Sequence, residues 1–163
     1  MAKHPIISVP LISCILLAAL ISNSCNVFRS QSFAEEAQEM LKEGLYDDAI
    51  YEYQKHINYR LQDESRPADE NPYFYYLLIG DIYLKQSKPE DAVLYYSLAK
   101  EKEVSAPFLS DRYRQLAYWY KQKGDYTKAL EILETYRSID ETNFDYAIDE
   151  VHKQMLAAED KVN

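Results

Sequence analysis

Large apolar and aromatic residues recur at steps of three and four along this chain, which places them on one side of an α-helix. Each such stretch is followed by a second helical pattern with a small residue, Ala92 or Ala129, where two helices have to cross closely. The stripes are Tyr76, Ile79 and Tyr83, and then Tyr113, Leu116 and Tyr120. The pattern predicts pairs of helices joined by short turns, and no β-sheet.

The three glycines of the chain fall at landmarks of this pattern. Gly44 and Gly124 lie between paired helices, where glycine takes the left-handed conformation without a Cβ penalty. Gly80 falls where two helices are expected to cross. Pro89 is expected to start a helix, because the first helical position needs no backbone N–H. Local and longer-range signals therefore agree on helical pairs.

One set of spaced residues occurs three times along the chain. The copies are Phe33, Glu36, Ala37, Met40, Ala49, Tyr53 and His56; Tyr76, Ile79, Gly80, Tyr83, Ala92, Tyr96 and Ala99; and Tyr113, Leu116, Ala117, Tyr120, Ala129, Leu133 and Tyr136. This set resembles the signature of the tetratricopeptide repeat (TPR). The first copy departs from it, with Glu36 where an apolar residue is usual and His56 where alanine is usual. Such a unit of about 34 residues cannot bury its apolar face alone, so it stacks on its neighbours.

The resemblance implies an all-α fold, an α-solenoid of three TPR helix-turn-helix repeats with a C-terminal capping helix. The repeats are expected at about residues 32–61, 72–104 and 109–140, and the capping helix at 143–160, within one domain over 32–160. The polar segment 62–70 is interpreted as a loop insertion between the first two repeats. The alternative is an irregular helical bundle with tyrosine-rich seams.

The first 24 residues have the pattern of a secretory signal peptide. Lys3 precedes an apolar run from Ile6 to Ile21, and the small polar residues Ser22, Asn23 and Ser24 follow it. The apolar run is shorter than the ~20 residues that a bilayer-spanning helix needs, and it contains a proline. We therefore expect residues 1–24 to be removed and residues 25–31 to form a tether.

Cys25 would become the first residue of the mature chain. This arrangement resembles a bacterial lipoprotein signal, in which the cysteine carries lipid such as palmitate, although Ser22 stands where the lipobox favours leucine. Because Cys14 is lost with the signal, Cys25 would be the single thiol of an exported protein, and lipidation explains why it has no partner. An ordinary secreted protein with a free N-terminal cysteine and an uncleaved membrane anchor are the alternatives.

Charge excludes some classes of partner. Without Lys3 the mature chain has 17 basic and 27 acidic residues, a net charge of −10. Such a surface repels nucleic acid and anionic lipid headgroups, so we expect no nucleic-acid partner.

Catalytic chemistry is not indicated by the sequence. The helical pairs Glu52 with His56 and Asp149 with His152 have the spacing of one turn, but such pairs are common on solvated helices. No phosphate-binding glycine loop or nucleophile motif is present. We therefore expect no enzyme activity, no metal, no cofactor and no small-molecule substrate.

The resemblance also indicates where a partner would bind, because the first helix of each TPR pair lines a concave groove. The corresponding residues here are Gln38, Leu41, Phe74, Leu77, Asp81, Arg114, Tyr118 and Lys121. They do not match the carboxylate clamp of chaperone adaptors. The expected ligand is a peptide or helix of a partner protein, and the alternative is that some of these residues pack against the last helix.

Together these features predict a lipid-anchored adaptor of the cell envelope that faces the periplasm. It is similar to the TPR lipoproteins of β-barrel assembly and of type IV pilus assembly, which carry more repeats. The alternative is a soluble exported TPR accessory subunit, secreted or periplasmic, without a lipid anchor.

The lipid anchor predicts the result of a single substitution. Cys25→Ala removes the thiol that would carry the lipid, so the protein should move from the membrane fraction to the soluble fraction on cell fractionation. Unchanged membrane association of the variant would contradict lipidation at Cys25.

Overall fold

The computed structural model describes residues 33–160, and over this range the chain forms seven α-helices and no β-strand. The predicted all-α fold is confirmed. The described residues belong to two compact units, which meet in the sequence between Glu70 and Asn71. None of the helices within 33–160 is both long enough and apolar enough to cross a membrane.

The first unit contains two helices and a polar loop. Helix α1 covers residues 33–43, helix α2 covers Tyr46–Gln62, and the loop follows up to Glu70. Ala37 on α1 and Ala49 on α2 are fully buried, and the ring of Phe33 meets the ring of Tyr59 edge to face at 5.8 Å. The unit is therefore a helical hairpin with small residues in its interior.

An arginine fastens the loop of the first unit to α2. Arg60 is buried and donates hydrogen bonds to the carboxylates of Asp63 and Glu70, with 2.7 Å between its Nε and Glu70 Oε1. The hydrogen bond from Arg60 lowers the pKa of the Glu70 carboxyl. Removing either carboxylate would leave the buried charge of Arg60 less compensated. The polar loop predicted from the sequence is thus bonded to α2 near both of its ends.

The second unit contains five helices and two short 3-10 turns. They are the turn Pro72–Phe74, α3 Tyr75–Lys85, α4 Pro89–Glu101, α5 Ala106–Gln122, α6 Tyr126–Tyr136, the turn Arg137–Ile139 and α7 Glu141–Glu159. The side chain of Asn71 accepts a hydrogen bond from the Tyr73 N–H and donates one to the Lys102 carbonyl. Asn71 therefore caps the 3-10 turn that leads into α3 and also fastens this turn to the end of α4.

The same two-residue turn ends α1, α3, α4 and α5. In each turn a residue with positive φ is followed by a residue whose N–H bonds to the carbonyl five positions earlier, as Leu45 does with Met40 at 2.8 Å. The positive-φ residues are Gly44, Ser87, Glu103 and Gly124. This closure satisfies carbonyls at the helix end and turns the chain directly into the next helix. The prediction for the two glycines is confirmed, and Ser87 takes the same conformation without being a glycine.

The core of the second unit depends on a close approach between α3 and α4. A Cβ atom on Gly80 would lie 2.4 Å from a ring atom of Tyr96, which is fully buried. The Tyr96 hydroxyl donates to Asp81 at 2.8 Å, and Arg112 of α5 bonds to the same carboxylate at 3.1 Å. Burial, followed by the charge of Asp81, raises the pKa of the Tyr96 hydroxyl. The predicted crossing at Gly80 is thus confirmed and joined to a polar network.

Helix α7 covers the end of the second unit. Phe144, Ile148 and Val151 are buried and form the apolar face of this helix. Leu156, in its last turn, is 60% exposed. The last turn of α7 extends past the core, so its apolar position has no neighbour to pack on.

The crossing at Gly80 yields a stability prediction. Gly80→Ala places a methyl group inside the Tyr96 ring, and overpacking of this kind typically costs ~1 to 3 kcal/mol. The midpoint of urea unfolding should fall accordingly. As a contrast, Ser87→Gly removes the strain of positive φ at the end of the same helix. This substitution should raise the free energy of unfolding by up to ~1 kcal/mol. An unchanged midpoint for Gly80→Ala would contradict the close crossing.

Candidate functional site

A cleft of about 260 Å³ lies between α5 and α7 of the second unit. Its α5 side carries Asp111, Arg114, Tyr118 and Lys121, which recur at steps of three and four and so share one helical face. Its other side is formed by α7 and by Leu133 of α6, and the α7 residues are Asn143, Tyr146, Ala147, Glu150 and Val151. The cleft thus has polar and aromatic residues around an apolar interior.

The start of α7 is held against α5 by a capping aspartate. Asp140 accepts hydrogen bonds from the N–H and the side-chain amide of Asn143, and these bonds lower the pKa of its carboxyl. The hydroxyl of Ser110 on α5, which is buried, donates to the same carboxylate at 3.2 Å. One side chain therefore begins α7 and sets its position relative to α5.

Lys121 joins the two walls of the cleft farther along. Its Nζ lies 2.7 Å from Glu150 Oε1 and 4.6 Å from the centre of the Tyr118 ring. Lys121 is only 9% exposed, whereas the Glu150 side chain is about half exposed. The pair therefore joins a nearly covered cation on α5 to a half-exposed carboxylate on α7.

Arg114 is held less completely than Lys121. Its Nη2 donates a long hydrogen bond of 3.3 Å to Asp111 Oδ1. Its Nε is buried and has no hydrogen-bond acceptor among the described residues. An unpaired buried donor is uncommon in proteins, because it loses water without gaining a partner. Arg114 is thus a cation with unused hydrogen-bonding capacity in the wall of the cleft.

Two tyrosines stand at the opening of the cleft. Tyr118 of α5 is 53% exposed and Tyr146 of α7 is 74% exposed. Leu133 and Val151 behind them are buried. Exposed rings beside an apolar interior are typical of binding surfaces, since they bring large contact areas at small entropic cost.

The structure gathers only part of the groove predicted from the sequence. Arg114, Tyr118 and Lys121 line one cleft together. Gln38 and Leu41 lie in the first unit, where Gln38 is exposed and Leu41 is half-buried. The alternative that some groove residues pack against the last helix holds for Lys121, which pairs with Glu150 of α7.

Two further groove predictions need correction, and a third residue lies apart from the cleft. Leu77 is 0% exposed and lies in the hydrophobic core, so it offers no surface to a ligand. Asp81 is occupied by Tyr96 and Arg112, as described above, and serves the core. Phe74 is half-buried and meets Phe108 edge to face at 5.1 Å, outside the residues that line the cleft. The helical register alone does not reveal which side of α3 its neighbours cover.

The α7 wall of the cleft is missing from the sequence prediction. Tyr146, Ala147 and Glu150 belong to a helix interpreted only as a cap. Their spacing of one to four residues, next to the buried positions Phe144, Ile148 and Val151, is the signal that identifies a second side of that helix. A cap that leaves a gap over α5 contributes to a site as well as to stability.

The residues considered for metal binding do not gather in a cluster. Within 33–160, no group of three or more histidine, cysteine, aspartate or glutamate side chains could hold a metal ion. Glu52 is buried and pairs with Lys55 at 2.7 Å, while Asp149 and His152 are exposed on α7. Cys25, the predicted site of lipidation, lies outside the described residues.

Comparison with known proteins adds no relative. No model of a protein family matches the chain, and no curated protein matches it. The geometry of the cleft is therefore the basis for assigning a function.

The assignment of Leu77 to the core and Tyr118 to the surface can be tested by substitution. Leu77→Ala should cost ~2 to 5 kcal/mol of stability, because a buried leucine leaves a cavity. The free energy of unfolding of Tyr118→Ala should stay within about 0.5 kcal/mol of that of the unchanged protein, as is usual for substitutions at exposed positions. Urea unfolding followed by circular dichroism measures both. Equal losses for the two variants would contradict this assignment.

Proposed function

We propose that this chain is a TPR scaffold of the cell envelope that binds a segment of another protein in the cleft between α5 and α7. In this proposal residues 1–24 are a signal peptide. Lipid on Cys25 anchors the protein to a membrane, and the domain faces the periplasm. The observation that carries the binding function is the cleft itself, with Tyr118 and Tyr146 exposed beside an apolar interior. Clefts of this composition are the usual sites of recognition.

Local geometry supports the TPR interpretation. The turns at Gly44, Ser87 and Gly124 have the same hydrogen bonds, and they fall at the same place in the three copies of the sequence pattern. Each turn is followed by a fully buried alanine on the second helix of the pair. These alanines are Ala49, Ala92 and Ala129. Repeated turns and repeated small residues are what a stack of helix-turn-helix units requires.

A binding function also fits the charges of the cleft. Its acids and bases balance within the cleft, whereas the whole chain is acidic. A partner segment therefore meets a locally neutral surface on an acidic protein. A soluble exported TPR subunit without lipid remains the alternative, and Cys25→Ala distinguishes the two because the cleft is the same in both.

Photo-crosslinking in the living cell tests the proposed binding site. Benzoylphenylalanine at Tyr118 should give one discrete cross-linked product, because a bound segment would cover that ring. Leu94 of α4 provides a matched control, since it has the same exposed fraction of 53% in the same unit. Tyr146→Ala should weaken the product at position 118. Equal products at positions 118 and 94, or none at 118, would contradict binding in the cleft.

A further inference from the structure

We infer that the cleft between α5 and α7 selects a partner segment in which one carboxylate side chain stands next to an aliphatic or aromatic side chain. This inference rests on the proposed function and names the chemistry of its ligand. The carboxylate would pair with Arg114, and the apolar side chain would enter the interior lined by Ala117, Leu133 and Val151.

The hydrogen bonds of the cleft show which ligand group it lacks. Asp111 already accepts from Gln115 at 2.9 Å and from Arg114, and Glu150 accepts from Lys121 and from Gln154 at 3.1 Å. The buried polar atom of the cleft that has no partner among the described residues is a donor, the Nε of Arg114. A ligand completes the site by supplying an acceptor, and a carboxylate is the acceptor that guanidinium binds most strongly and in two-pronged geometry.

The guanidinium is placed so that it can move to such a ligand. The Arg114 side chain is 36% exposed although its Nε is buried, so part of the group already faces solvent. Its bond to Asp111 is long, at 3.3 Å, and therefore weak. Lys121 differs, because its ammonium is held at 2.7 Å from Glu150 and is almost covered. Arg114 rather than Lys121 is the cation available to a partner.

Size and total charge limit the ligand further. A volume of about 260 Å³ holds one or two side chains rather than a whole helix. The chain carries a formal net charge of −9, so a run of acids would be repelled over a long range. A single carboxylate beside an apolar residue satisfies both the limit of size and the limit of charge. A polyacidic segment does not satisfy the limit of charge.

The probe for this inference is a library of random ten-residue peptides displayed with both ends fused, so that no free C-terminal carboxylate is present. The protein as the cell processes it, purified in mild detergent, is the bait. Enriched peptides should carry one aspartate or glutamate next to leucine, isoleucine, valine, methionine or phenylalanine. Enrichment of basic or uncharged sequences, or no enrichment, would overturn the inference.

A thermodynamic cycle assigns the carboxylate to Arg114. One enriched peptide and its version with glutamine in place of the acid are titrated by fluorescence anisotropy. The amide peptide should bind at least tenfold more weakly to the unchanged protein, and Arg114→Gln should bind both peptides equally weakly. Arg137→Gln is the matched control, because Arg137 is an exposed arginine of the same unit that pairs with Asp145 and does not line the cleft. It should bind like the unchanged protein.

A spectroscopic measurement on the unchanged protein covers the case in which the arginine variant fails to fold. The Nε–H resonance of Arg114, assigned through its scalar correlations to the backbone of the same residue, should move downfield with the acidic peptide and not with its amide version. A resonance that does not respond to the acidic peptide would overturn the pairing. Peptide binding that is lost in Tyr118→Ala but not in Arg114→Gln would be compatible with the proposed binding function. It would refute the inference that the ligand supplies a carboxylate to Arg114.

Discussion

The second unit depends on the contact between the Tyr96 ring and Gly80, because this contact brings α3 and α4 together closely enough to exclude any side chain at the crossing. The buried hydroxyl of Tyr96 then needs a partner, and Asp81 supplies it. Arg112 satisfies the second oxygen of Asp81 and so brings α5 into the same arrangement. One apolar contact and the hydrogen bonds it requires thus fix three helices.

The position of α5 in turn determines the candidate site. Ser110 and Lys121 of this helix contact α7 through Asp140 and Glu150, near the two ends of their shared interface. Between these two connections the helices do not fill the space, and the cleft is the gap that remains. Arg114 and Tyr118 face this gap because they lie between Ser110 and Lys121 on the helix. The site is therefore a consequence of how the capping helix is attached.

Sequence reasoning succeeded where local chemistry decides the outcome. Gly44 and Gly124 take positive φ, and the buried alanines Ala92 and Ala129 lie on second helices, since each depends on neighbours within a few residues. It failed for Leu77 and Asp81. Both lie on α3, but their surroundings are set by α4 and α5. The spacing of residues on α3 does not state which side α4 and α5 will cover.

The sequence by itself determined the helical class and the conformation of the two glycine turns, because periodicity and glycines act locally. The tertiary structure alone decided which predicted groove residues remain accessible. It buried Leu77, committed Asp81 to Tyr96, and placed Arg114 and Tyr118 opposite Tyr146 of α7. The physical reason is that a binding cleft is made of surfaces left uncovered after packing, and packing joins residues that are distant in the sequence.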